Sequence, residues 1–163
     1  MGGIISVILI LIMVTAQSSF FPVISLDGAV PDLALIFLVL LSLKKPKFST
    51  YLLAAWAGLL QDVIFYPVLG VSIGAKLFVC FVLINFVKPQ FKDSIYHVIA
   101  LSILAFFVHE ITIYTFFSML NISQNNLFWY LSNMAPYLIY NLIMVILLYK
   151  PLNKFIENNN FWG

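Results

Sequence analysis

Three ionisable positions lie inside long apolar stretches of this chain: Asp62, Lys76 and the adjacent pair His109-Glu110. A charge in the middle of a membrane segment costs about 2.5–3.5 kcal/mol on insertion scales, so each needs a partner, a cavity or a task. Asp62 stands about six residues before the middle of the turn at 67–70, and Lys76 about eight after it. With a rise of about 1.5 Å per residue, the two reach similar depth on adjacent antiparallel helices. The plain reading is a buried Asp62–Lys76 pair that sets the register of a helical hairpin. An ion or ligand site there, or a Lys76 that snorkels to the headgroups, are the other two. His109 and Glu110 point about 100° apart on a helix and cover one polar edge. Desolvated His and Glu suit a proton relay or a cation ligand. Alternatively Glu110 is protonated, or is bonded to His109 and to Tyr or Thr hydroxyls within the bundle. No second acidic residue is expected at matching depth.

No soluble-type catalytic pattern accompanies them. There is no His-x-x-Glu-His, Gly-x-Ser-x-Gly or P-loop, and no pair of carboxylates at a common depth. His97 and His109 lie about three turns apart on one helix and cannot share a metal. The lone Cys80 excludes a disulfide framework and a thiolate metal site. No enzyme, cofactor or metal centre is expected.

The elements that must position these residues follow from composition. The chain has 163 residues, 63% apolar and 9% charged, with a mean hydropathy of +1.08. A soluble domain carries about 25% charged residues. The difference excludes a soluble domain, a disordered chain and a basic nucleic-acid binder, and leaves an integral membrane protein with little mass outside the bilayer. Apolar runs broken by Pro, Lys or Asn predict six spans, at about 4–21, 31–43, 50–66, 71–87, 96–119 and 127–149. They make residues 1–149 one transmembrane domain and 150–163 a short cytoplasmic tail. The second span is short, about a dozen residues. The sixth has Pro136 in its interior. All eight cations are Lys. Lys44, Lys45, Lys47, Lys88, Lys92, Lys150 and Lys154 fall on alternate connections, whereas 22–32, 67–70 and 120–126 have none. Positive loops stay in the cytoplasm, so both termini are expected there. Ala54 and Gly58 give the third span a small-xxx-small face for close packing. Phe155, Ile156, Phe161 and Trp162 suit an anchor in the headgroup layer.

Several short patterns carry no weight. Met1-Gly2-Gly3-Ile4-Ile5-Ser6 fits a myristoylation template on a segment that already enters the bilayer. Val14-Thr15-Ala16 looks like a signal cleavage site without the positive segment that should precede it. Asn121-Ile122-Ser123 is a glycosylation sequon by letters only.

The order of features is similar to the MreD family of small polytopic rod-shape-determining proteins of bacteria. Gln17-Ser18-Ser19-Phe20-Phe21-Pro22 ends the first span, and a short external loop leads to Pro31-Asp32-Leu33. A lysine-marked turn follows, then Gly58-Leu59-Leu60-Gln61-Asp62, closed by Leu69-Gly70. The stretch from Gly58 to Gly70 is the sharp part, and Lys76, His109 and Glu110 are not motif positions. The resemblance implies an all-α six-helix membrane bundle like the substrate-binding components of energy-coupling-factor transporters. It also implies a non-catalytic place in the inner-membrane elongation machinery. The partners it implies are MreC, MreB and RodA with its transpeptidase, in support of lateral-wall peptidoglycan synthesis. A vitamin-uptake component and an ion-coupled carrier are the alternatives, since fold alone does not decide function. Short external loops speak against the first. Scarce loop residues place the partner surface within the membrane, suited to the single transmembrane helix of an MreC-like protein.

Overall fold

The computed structural model describes residues 2–25, 28–44, 47–87, 95–122, 126–132 and 134–159. The expected features at Lys45, Lys88, Lys92, Ser123, Phe161 and Trp162 lie outside these residues. The regular elements are helical: α1 (Gly2–Ser19), a 3-10 turn (Phe21–Ile24), α2 (Leu33–Lys44), α3 (Lys47–Phe65), α4 (Val71–Phe86), α5 (Ile95–Met119), α6 (Leu127–Ser132) and α7 (Ala135–Asn158). Four of them, α1, α3, α5 and α7, are long and apolar enough to cross a membrane, while α2 and α4 are shorter apolar helices.

The short second helix is the centre of the molecule. Every residue from Leu33 to Leu43 is buried, and α2 packs against α1, α3, α4, α5 and α7. A helix with no polar face has nothing to offer water and is enclosed on all sides. Twelve residues rise only about 18 Å, well short of the roughly 30 Å hydrocarbon layer. Its companions supply the remaining depth. The expected start near residue 31 is set two residues later by a cap. Asp32 Oδ1 accepts the Leu35 N–H at 2.9 Å, and its backbone carbonyl accepts the Ile36 N–H. A carboxylate at this position answers the orphaned donors and positive end of the first turn. At the other end Lys44 complements the last turn and pairs with Glu157 of α7 at 2.8 Å.

Helices α3 and α4 form the tight hairpin that the Ala54/Gly58 face anticipates. A Cβ added at Gly58 would lie 2.6 Å from the Ile73 nitrogen and closer still to its Cα, so the backbones touch there. Gly70 closes the connection with φ +104°, a left-handed conformation that suits glycine. Leu69 beside it projects outward and is exposed. The Trp56 indole donates to the Val7 carbonyl at 3.3 Å and ties α3 to α1.

The end of the chain departs from expectation. Pro136 lies in the first turn of α7, where its missing N–H costs no hydrogen bond, so the sixth expected span is divided into α6 and α7. Helix α7 then runs through Lys150 and Pro151 to Asn158, and the expected tail is helical for most of its length. Leu152, Phe155 and Ile156 recur at helical spacing and cover the lower end of α2. Ile156 is fully buried, and the Phe155 ring lies 6.1 Å from that of Phe37. These two side chains are core, not a headgroup anchor. Apolar residues such as Ile4, Ile8, Ile12, Val63, Phe78, Ile146 and Leu147 face outward around the bundle. An apolar exterior over a packed interior is what a multi-pass membrane protein presents to lipid.

Candidate functional site: a buried polar layer

At the end of the bundle away from Lys44 and Lys47, polar side chains from several helices converge. Lys76 is its hub. Its Nζ donates to Asp32 Oδ2 at 2.7 Å and contacts His109 Nε2 at 3.3 Å. The Lys76 and Asp32 side chains are 0% and 4% exposed. The lysine therefore does not snorkel, and its carboxylate partner is Asp32 rather than Asp62. Depth matched Asp62 to Lys76, but direction decides. Side chains on a helix lean towards its N-terminus, which carries the Lys76 stem up to the start of α2. Asp32, expected where the external loop enters the second span, is buried there directly after the buried Pro31.

Asp62 answers a different need. Its Oδ2 accepts the N–H groups of Gly70 at 2.8 Å and Ile73 at 3.3 Å, and its Oδ1 accepts that of Ser72 at 2.7 Å. The first turn of a helix leaves four N–H groups without intrahelical acceptors and carries a partial positive charge. With a connection this short, Asp62 of α3 lies level with those donors of α4 and caps the helix across the hairpin. The register of the hairpin is fixed by this cap, not by an ion pair.

The same Lys76 reaches His109. Its Nε2 faces the Lys76 Nζ at 3.3 Å and its Nδ1 faces Glu110 Oε1 at 3.2 Å. His109 thus bridges Lys76 and Glu110 with carboxylates on both flanks: Asp32 Oδ2 stands 4.0 Å from Nε2. A second carboxylate does lie at matching depth, contrary to expectation, because Asp32 is inside the bundle. Glu110 also receives the Tyr130 hydroxyl at 2.5 Å, a short charge-assisted bond. This is the Tyr hydroxyl partner allowed for by the plainer reading of that pair.

Three amides complete the layer. Gln61 Nε2 donates to Asp32 Oδ1 at 2.9 Å and to Gln17 Oε1 at 3.1 Å, while its Oε1 accepts the Ser72 hydroxyl at 3.0 Å. Asn141 Oδ1 accepts the Asp32 N–H at 2.8 Å, and its amide donates to the Tyr137 carbonyl. Together α1 and α3 to α7 each contribute a residue, and Asp32 adds one from the cap of α2. Gln17, Ser72, Tyr130 and Asn141 were not among the expected site residues. Gln17 and Asn141 had a usable signal, since an amide in an apolar span needs a partner in the same way as a charge. Below the connections, Gln17, Asp32, Gln61, His109, Glu110 and Tyr137, with Val30, Phe65 and Tyr66, line a cavity of about 210 Å³. Among the described residues no group of three His, Cys, Asp or Glu side chains is placed to hold a metal.

A second concavity, about 450 Å³, lies on the flank between α4 and α5. Its walls are Gly74, Phe78, Ile111, Thr112, Thr115, Phe116 and Met119. The small-residue gap at Gly74 opens it, since a Cβ there would come within 3.1 Å of the Phe116 ring.

In comparison with known proteins, the family model described as rod shape-determining protein MreD matches residues 2–158. No curated protein and no solved structure matches the chain.

Proposed function

The chain belongs to the MreD family of rod shape-determining proteins, and from that premise we propose that it acts without catalysis in the bacterial elongation machinery. Its task in this reading is to bind MreC within the inner membrane, beside MreB and RodA with its transpeptidase, and so to support lateral-wall peptidoglycan synthesis. Both termini face the cytoplasm, as the lysine distribution requires. The observation that carries the reading is the apolar flank groove between α4 and α5. Helices in lipid have no strong hydrophobic drive to associate, so recognition depends on close shape and on gaps left by small residues. A groove opened by Gly74 and edged by Phe78, Phe116 and Met119 suits one transmembrane helix of an MreC-like partner.

The test is a mild-detergent pull-down of the tagged protein from its own membranes. Recovery of MreC and the RodA synthase is expected, with a loss of about tenfold or more for Gly74→Leu, which fills the groove; one well-packed leucine contact spans that range. An MreC lacking its transmembrane helix that still binds with full affinity sinks the intramembrane interface. Recovery of paired ATPases with a membrane coupling subunit replaces the whole reading with small-molecule uptake.

A further inference from the structure

We infer that the end of the bundle away from the lysines is a lipid-contacting surface, seated in the headgroup layer rather than raised into water. The partner it fits is the phospholipid bilayer, and the inference is independent of the partner groove. It starts from the contrast between the two ends. At one end Lys47, Lys150 and Lys154 are exposed. At the other, the described residues of the three connections, 20–25 with 28–31, 66–70, and 120–122 with 126–132, include no charged side chain. Asp27 lies outside the described residues. What these connections expose is apolar, with Phe20 60% exposed, Val23 81%, Leu69 66% and Phe128 80%. A single exposed apolar residue is ordinary. Here every connection carries one, and Phe20, Val23 and Leu69 continue the outward face on which Ile12 of α1 and Val63 of α3 are already exposed. A continuous apolar surface of this kind marks contact with a membrane.

Helix length sets the depth of this surface. Helix α3 has 19 residues from Lys47 to Phe65, a rise of about 28 Å against a hydrocarbon layer of about 30 Å. With the exposed Lys47 at one headgroup layer, Phe65 reaches no further than the opposite edge of the hydrocarbon, and any tilt lowers it. The connection at 67–70 leaves and returns within four residues. Its summit therefore stands at most about 7 Å higher, the reach of two extended residues. The headgroup region on each side is itself about 5–7 Å deep. The backbone agrees with that position. The Val23 N–H donates to the Phe20 carbonyl at 3.2 Å, and the Gly70 N–H to Asp62 at 2.8 Å. After α5, Asn121 takes a φ of 55°, and the N–H groups of Asn121 and Ile122 return to the carbonyls of Ser118 and Phe117 at 3.1 and 2.9 Å. This closure satisfies the last carbonyls of the helix within the chain, as surroundings poor in water demand.

The experiment uses the full chain in vesicles of phosphatidylethanolamine and phosphatidylglycerol, spin-labelled at Val23→Cys, Leu69→Cys or Phe128→Cys in a Cys80→Ala background. The three labelled side chains are exposed, so the exchanges leave the packing intact. Collisions of each label are measured with oxygen, which concentrates in lipid, and with a nickel chelate, which stays in water. Oxygen collisions are expected to exceed nickel collisions at all three positions, and the order to reverse at Asn158→Cys in the last turn of α7. Nickel collisions in excess at any of the three overturn the proposal. If labels that meet nickel in vesicles become protected from it in native membranes, a partner protein covers this end in place of lipid, and the proposal falls equally.

Discussion

The two ends of α2 are held by opposite means. Its first residues enter a layer in which Asp32, Gln61, Lys76, His109 and Asn141 interlock through directed bonds of 2.7–3.3 Å. Its last two turns, from Phe37 to Leu43, are apolar apart from Ser42, whose hydroxyl is spent on the Leu38 carbonyl of the same helix, and Phe155, Leu152 and Ile156 of α7 pack in the same core. Directed bonds specify one register, because a helix slid or rotated by a residue leaves buried donors and acceptors unmatched. Packed leucines fill volume and tolerate exchange. The upper layer thus chooses the arrangement that the lower layer then fills.

The comparison breaks most sharply at Lys76. Lys76→Ala leaves Asp32 charged and unpaired in the interior, a loss of about 3–5 kcal/mol. Thermal unfolding in detergent should show it, with little protein accumulating in membranes. The double variant Asp32→Leu/Lys76→Met removes both charges and should recover most of that stability, because two matched apolar groups replace a pair that must be desolvated. If the double variant is no better than the single, Asp32 acts chiefly through its cap on α2.

In the apolar half, Leu40→Ala should cost about 2–5 kcal/mol, the usual range for a buried leucine. Unlike Lys76→Ala, it should be partly rescued by a larger side chain at an apolar position packed beside it, since volume rather than direction is at stake. Rescue of Lys76→Ala by such a change would erase the distinction between the two halves. The smallest effect belongs to the Lys44–Glu157 pair at the lysine-marked end. Glu157 is 56% exposed, so Glu157→Ala should shift stability by no more than about 1 kcal/mol, and less in high salt.

How far the sequence could be read follows the same division. Apolar runs located the first five helices within a few residues, because hydrophobic length is a property of one segment at a time, whereas the sixth run is divided between Ser132 and Ala135 and continues to Asn158. They could not show that residues 33–44 form the centre of the bundle, since enclosure depends on where the other helices stand. Gly58 was readable as a contact point because only a small residue permits backbones to touch. The partner of Lys76 was not, because two carboxylates, Asp32 and Asp62, compete for it. The winner depends on which one the α4 backbone has already claimed. Counting residues from a turn fixes depth and leaves azimuth free. His109-Glu110 was recognised as polar, but its link to Asp32 required knowing that residue 32 lies inside.

The enclosure of α2 also constrains how the molecule is made. This helix is made before α5 and α7, yet both are among its neighbours, the latter ending at Asn158. Twelve residues long and too short to cross the bilayer by itself, it is enclosed only after α5 and α7 have followed it. The charged cap at Asp32 is equally without its lysine until α4 is in place, and Asn141 reaches it only with α7. The enclosure of α2 is therefore complete only once α7 is in place, and a chain without α7 leaves one side of this apolar helix uncovered.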